Sequence, residues 1–106
     1  MKHWSVEELA TALTTGEKLR LIDVREPEEF AICQINGAEL IPMSELPVRA
    51  ADILSTTVPV ILYCHHGVRS EYAMRWLHAH GAQNIGHLVG GIDAWAERIA
   101  PAMPRY

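Results

Sequence analysis

Cysteine is scarce in this chain of 106 residues: only Cys33 and Cys64 occur. Two cysteines at this separation are no disulfide framework and no Cys-x-x-Cys pair, so a stapled extracellular scaffold and a dithiol redox motif are both disfavoured, and a reducing compartment is the simplest setting. Long apolar runs are also missing. No stretch approaches the roughly 20 apolar residues of a membrane span. The opening segment Met1-Lys2-His3-Trp4-Ser5-Val6-Glu7-Glu8 has no apolar signal core. The expectation is a soluble, cytoplasmic protein without a membrane partner. Cationic residues are few, nine Lys and Arg against 13 Asp and Glu, for a net charge of −4. No run of them has the density of a nucleic-acid or lipid-surface patch, which argues against nucleic acid as a partner. Repeats and low-complexity tracts are absent, and no second catalytic domain is expected within these 106 residues. With 49% hydrophobic residues the chain has enough apolar material for one core flanked by helices, a single domain over residues 1–106.

What is present centres on Val60-Ile61-Leu62-Tyr63-Cys64-His65-His66-Gly67-Val68-Arg69-Ser70. A short β-branched apolar run reads as a buried strand that stops at a cysteine. The apolar spacing then turns helical through Ala73, Met74, Trp76 and Leu77. In open parallel sheets ligands bind beyond the carboxyl ends of strands, where loop amides and a following helix N-terminus face one space, and Cys64 stands there. A helix N-terminus and a neighbouring cation, here Arg69, favour the thiolate form of a cysteine. Gly67 permits a tight turn with N–H groups pointing inward, an anion-binding concavity around the sulfur. Four residues, His65 to Val68, separate Cys64 from Arg69. Cysteine phosphatases place five there to enclose a phosphate. The shorter loop makes a tighter cradle, which favours a persulfide over phosphoryl chemistry.

The loop Cys64-His65-His66-Gly67-Val68-Arg69-Ser70 resembles the active-site loop of the rhodanese family of sulfurtransferases in its single-domain form. Three further stretches, in order, are similar to that family's signatures: Leu21-Ile22-Asp23-Val24-Arg25-Glu26-Pro27-Glu28-Glu29-Phe30, Gly37-Ala38-Glu39-Leu40-Ile41-Pro42, and Gly90-Gly91-Ile92-Asp93-Ala94-Trp95. The chain departs from the family at Cys33-Gln34-Ile35-Asn36, where Gly-His-Ile-Pro is usual. The resemblance implies an α/β fold, rhodanese-like, with a central parallel sheet and helices on both faces. It also implies a persulfide carried by Cys64, with Asp23 and Arg25 supporting the site and not reacting in it.

In chain order, Ser5 and Glu8 form a capping box that opens a peripheral helix ended by Gly16. Leu19 to Val24 reads as a strand. Pro27, with Glu28 and Glu29 in the first turn, starts a brief helix whose Phe30 packs inward. Leu40-Ile41 is a short strand closed by Pro42. Ser44 caps a helix presenting Leu46, Val48, Ala51 and Leu54 on one face. A helix from about Ser70 to His80 follows the cysteine loop, with Ser70 as its cap. Ile85 to Val89 is the last strand, Gly90-Gly91 opens the last helix, and the tail over residues 101–106 is expected to fray. Three or four strands alternating with helices give βαβ units and a parallel sheet.

The candidate site is therefore Cys64 as nucleophile. His65, His66, Gly67, Val68 and Arg69 are its substrate-binding loop, and Asp23, Arg25 and Ser70 its supports. Adjacent histidines on one loop rarely converge on one ion, so no metal site is read at His65 and His66. Cys33 reads as a small hydrophobe, Trp76 and Trp95 as core, and His78, His80 and His87 as surface or packing residues. The expected chemistry is a double displacement without a cofactor. A small anionic sulfur donor such as thiosulfate loads Cys64, and cyanide, a thiol or a protein takes the sulfur. A non-catalytic binding module of the same fold, a phosphatase or arsenate reductase, and a thiol-redox protein are the alternatives.

Overall fold

The four residues of the central strand set the architecture. Side chains of successive strand residues point to opposite faces. Val60, Ile61, Leu62 and Tyr63 are nevertheless all buried, so both faces of the sheet must be covered. The computed structural model, which describes residues 1–106, does this with a five-stranded parallel sheet between helices. In chain order the elements are β1 (Lys2–Trp4), α1 (Val6–Thr14), β2 (Arg20–Asp23), α2 (Pro27–Ile32), β3 (Glu39–Leu40), a 3-10 turn (Met43–Glu45), α3 (Leu46–Leu54), β4 (Val60–Tyr63), α4 (Val68–Ala79), β5 (Ile85–Leu88) and α5 (Gly91–Arg98). The strand order is β1-β5-β4-β2-β3, which puts β4 in the middle. Its register runs Ile61 beside Leu21 on β2 and beside Gly86 on β5.

Alternation on β4 divides the interior in two. Ile61 and Tyr63 join Leu21, Leu88, Val6 and Leu9 of α1, and Ile92 and Trp95 of α5. Val60, Leu62 and Cys64 join Ile22, Ile53 of α3, and Ala73, Met74 and Leu77 of α4. Each fully buried aliphatic side chain is worth about 1.5–3 kcal/mol, so the two layers hold the sheet from both sides. Cys64, the first residue past β4, emerges on the α4 side.

Most expected elements are present within a residue or two, and Ser5 and Glu8 make the capping box. Five differences have physical causes. Strand β1 was not foreseen, because only Trp4 of its three residues is buried and no alternation shows. It pairs with β5, His3 opposite His87. Helix α1 is not peripheral: Val6 and Leu9 have no exposed surface. Phe30 is only half-buried, since α2 is a single short helix with no buried residue. The segment at Ser44 is a 3-10 turn, and α3 turns Leu46 and Ile53 inward while Val48 is 86% exposed. The tail does not fray. Met103 N–H bonds the Ala100 carbonyl, and Tyr106 is anchored by side-chain contacts described below.

Strand β1 depends on one missing methyl group. A Cβ on Gly86 would lie 2.5 Å from the Lys2 carbonyl oxygen and 2.8 Å from two atoms of the Trp4 ring. Gly86→Ala is expected to push β1 off the sheet edge and to cost about 1–3 kcal/mol, as overpacking does. The check is a lower urea midpoint with an unchanged slope.

Candidate active site

Cys64 directly follows the central strand, and its side chain is held by the first turn of the next helix. The Gly67 N–H donates to the Cys64 sulfur at 3.1 Å and the Ser70 N–H at 3.3 Å. Both bonds are stronger to a thiolate than to a thiol, as charge-assisted bonds are. The turn that aims them requires Gly67, whose φ of +106° lies in the left-handed region. A Cβ there would also sit 3.2 Å from the Gly90 nitrogen. Helix α4 begins at Val68, two residues earlier than the spacing predicts, and its N-cap is Gly67. Ser70 is thus not the cap. It is buried in the first turn, with its hydroxyl 3.5 Å from the sulfur.

The other side of the loop rests on α5. Ile92 N–H donates to the Cys64 carbonyl at 2.9 Å, and Asp93 N–H to the His65 carbonyl at 3.0 Å. These are orphan amides of a helix start, so the loop satisfies groups that would otherwise lack partners. Gly91 makes the approach possible. A Cβ on it would lie 2.5 Å from the Cys64 carbonyl oxygen and 2.4 Å from that of His65.

Around this cradle runs a chain of charged groups. Asp23 and Arg25, both without exposed surface, form a bidentate pair with contacts of 2.7 and 2.9 Å. Arg25 also donates to the Cys33 carbonyl at 2.6 Å and to the Tyr106 hydroxyl at 2.7 Å. That hydroxyl donates to Glu29 at 2.6 Å, and Glu29 takes both guanidinium NH groups of Arg69, at 2.7 and 2.9 Å. The Arg69 bonds, aided by Tyr106 and opposed by partial burial, pull the Glu29 carboxyl down to about 2. Burial and the Glu29 charge push the Tyr106 phenol up to about 12. The Tyr106 ring stacks on His65 at 3.9 Å between centroids.

The expected loop residues fall into distinct places. Gly67 touches the sulfur and Arg69 lies in the rim, committed to Glu29. Val68 is 79% exposed. His65 is half-buried under Tyr106, and burial with the neighbouring His66 lowers its affinity for a proton. Contrary to the expectation for adjacent histidines, the His65 and His66 rings do converge, with centroids 3.9 Å apart. Their nitrogens and an Asp93 oxygen lie within 4.8 Å of one another. The Arg105 guanidinium sits 2.9 Å from Asp93, so a cation already occupies that carboxylate. Cys33 is buried, as a small hydrophobe would be. Trp95 is core, whereas Trp76 is only half-buried and stacks on His80. Glu29, Tyr106 and His87 are residues of the site that sequence reasoning passed over. Glu29 carried a local signal only as an acid in a helix start, and its partners lie 40 and 77 positions away.

A family model described as "Rhodanese-like domain" matches residues 5–98. Among curated proteins, the probable adenylyltransferase/sulfurtransferase MoeZ of Mycobacterium tuberculosis is 42% identical over 100 residues, which is 93% of this chain and 26% of that protein. The chain thus spans about a quarter of that relative's length. A protein named sulfurtransferase from Allochromatium vinosum is 36% identical over 95 residues, 90% of this chain and 88% of that one. The crystal structure of a rhodanese-related protein from Thermoplasma volcanium superposes with a TM-score of 0.82 at 31% identity, covering 95% of this chain and 96% of that chain.

The rim pair has a pH signature. A carboxyl whose folded value lies below its unfolded one, ordinarily 4.5, adds stability above that ordinary value and loses it as pH falls toward about 2. Glu29→Gln is therefore expected to flatten the stability profile between about pH 4.5 and pH 2 relative to the wild type. Urea midpoints taken across that window check this.

Proposed function

The chain belongs to the rhodanese-like domain family, and we propose that it is a sulfurtransferase that passes a sulfane sulfur from thiosulfate or a related donor through a persulfide on Cys64. The observation that carries the reading is the pair of amides, from Gly67 and Ser70, bonded to the Cys64 sulfur. They favour negative charge on that atom before and after it takes a second sulfur.

The Cys64 thiolate attacks the outer sulfur of the donor. The donor's S–S bond breaks, its electron pair leaves with sulfite, and Cys64 holds the sulfur as a persulfide. A thiophilic acceptor then attacks the terminal sulfur and the Cys64 thiolate is expelled. Arg69 exchanges Glu29 for the oxyanion of the donor, a like-for-like replacement of one bidentate anion by another. His65, His66 and Val68 line the approach. Asp23 and Arg25 hold the rim in place through Tyr106, which their mutual burial makes rigid. No step calls for a cofactor.

The acceptor is a thiol, or a protein presenting one, and the setting is the cytoplasm. The mycobacterial relative supports a protein acceptor, since its name joins a sulfurtransferase to an adenylyltransferase in one chain. Cyanide serves as acceptor in an assay. Phosphatase chemistry is disfavoured by the four-residue spacing between Cys64 and Arg69.

Intact mass before and after incubation with excess thiosulfate tests the proposal. Wild type is expected to gain about 32 Da, one sulfur, and to lose it on adding cyanide or dithiothreitol. Cys64→Ser is expected to gain nothing. No gain by the wild type with thiosulfate or a second sulfane donor, or an equal gain by the variant, overturns the reading, and the former result favours a binding module.

A further inference from the structure

The rim accounts for the charged groups near Cys64, but one buried titratable group has no part in it. His87, on β5, is 3% exposed. Its Nδ1 lies 3.0 Å from the Ser70 hydroxyl oxygen, and that oxygen lies 3.5 Å from the Cys64 sulfur. On its far side, His87 Nε2 lies 3.2 Å from Nδ1 of His3, an exposed residue of β1. The contacts thus run without a break from the buried thiol to the surface, and they connect residues on three elements.

One set of proton positions satisfies every link. The Cys64 thiol donates to Ser70 Oγ, Ser70 O–H donates to His87 Nδ1, and His87 Nε2–H donates to His3 Nδ1. The reversed set satisfies every link equally. His3 Nδ1–H then donates to His87 Nε2, His87 Nδ1–H to Ser70, and Ser70 O–H to the sulfur, now a thiolate. The two arrangements differ by one proton, lost to solvent at the His3 end.

We propose that Ser70, His87 and His3 form a proton wire that carries the Cys64 thiol proton to solvent and, by reversing, supplies the thiolate with a third hydrogen-bond donor. The Cys64 S–H bond breaks with its electron pair left on sulfur, and the proton goes to Ser70 Oγ. The original Ser70 proton passes to His87 Nδ1. The His87 Nε2 proton passes to His3 Nδ1, and His3 Nε2–H gives its proton to water. Both histidines are neutral before and after. That suits His87, because burial and the nearby His3 disfavour its charged form. The charged groups that face His87 are Glu71 and Arg75 of α4, and they neutralise one another at 2.8 Å. His87 does not touch the reacting sulfur, so it is a positioning residue that acts through Ser70. The proposal rests on Cys64 being the nucleophile and not on what that nucleophile attacks.

Its test reads the tautomer directly. In protein labelled with 15N-histidine, two-bond 1H–15N spectra are recorded across the Cys64 titration, which is followed by thiolate absorbance at about 240 nm. The His87 Nδ1 and Nε2 shifts are expected to exchange pyridine-type and pyrrole-type values at the pH where the thiolate forms. In Cys64→Ser that exchange is expected to vanish. A His87 that keeps one tautomer throughout, or that changes identically in Cys64→Ser, overturns the wire. A second variant gives an independent reading. His87→Phe keeps a ring and removes both nitrogens, leaving the Ser70 hydroxyl to donate to the Gly67 carbonyl, 3.3 Å away. Alkylation of Cys64 by iodoacetamide, resolved from Cys33 by peptide mass and followed across pH, is expected to rise to its alkaline plateau about one pH unit later in His87→Phe than in wild type, the loss of one hydrogen bond to a charged group. Equal rates at every pH, or an equal loss at every pH, overturns it. Neither readout uses sulfur transfer, so a protein that passes both and gains no sulfur from thiosulfate or from a second sulfane donor retires the proposed function and leaves the wire standing.

Discussion

The site depends on how the Cys64–His65 peptide is clamped. From the sulfur side it meets amides of the first turn of α4, and from the carbonyl side amides of the first turn of α5. Two helix starts can converge on one short loop only if no side chain stands between them. Gly91 meets that condition on the α5 side, where any Cβ would overlap the Cys64 and His65 carbonyls. Gly67 meets it on the α4 side, through a backbone turn that other residues adopt at a cost. The central position of β4 follows from the same geometry. A strand with helices packed on both faces delivers its last residue to the point where those helices begin.

Given that clamp, the electrostatics of the site are local. The chain as a whole is acidic, and each arginine near the site already has a carboxylate: Arg25 with Asp23, Arg69 with Glu29, Arg105 with Asp93. The field at the sulfur in this structure therefore comes from backbone amides. Fixed amides cost no reorganisation when charge develops, which is the arrangement that favours charge on sulfur most economically. Under the proposed function, an anionic donor would meet a different condition. It must compete with Glu29 for Arg69, and Tyr106 strengthens the competitor by donating to the same carboxylate. Selectivity among donors then lies in how well each replaces a bidentate carboxylate.

Local signals in the sequence carried most of this. The strand ending at Cys64, the glycine that follows, and the capping box at Ser5 each write their structure in a few adjacent residues. The parallel sheet followed from their alternation. What was not legible is long-range or terminal. Strand β1 has too few residues to show a period and is placed by a glycine across the sheet, Gly86. Helix α3 carried an apolar pattern whose face the following packing rotated, so that Val48 points to water and Ile53 to the core. Tyr106 and Glu29 are far apart in the chain, and nothing near either one announces the other. His87 stands among apolar residues on a short strand, where a packing role is the natural reading until its two nitrogens are seen to have separate partners.

Two hydrogen-bonded chains leave the active loop at neighbouring residues and have opposite character. From Arg69, the chain through Glu29, Tyr106 and Arg25 to Asp23 is charged, fixed at its inner end by a fully buried ion pair, and partly exposed at its outer end. From Ser70, the chain through His87 to His3 is built of a hydroxyl and two imidazoles, with no carboxylate or guanidinium in it, and ends at an exposed residue. The division has a physical basis. A net charge moving through the second route would have to stand on the buried His87, where desolvation opposes it. Holding an oxyanion on the first route needs a full positive charge, which a neutral histidine does not supply. The adjacency of Arg69 and Ser70 on the first turn of α4 is what would let one helix start serve both proposed roles, with the outward residue in the charged chain and the inward one in the chain to His87.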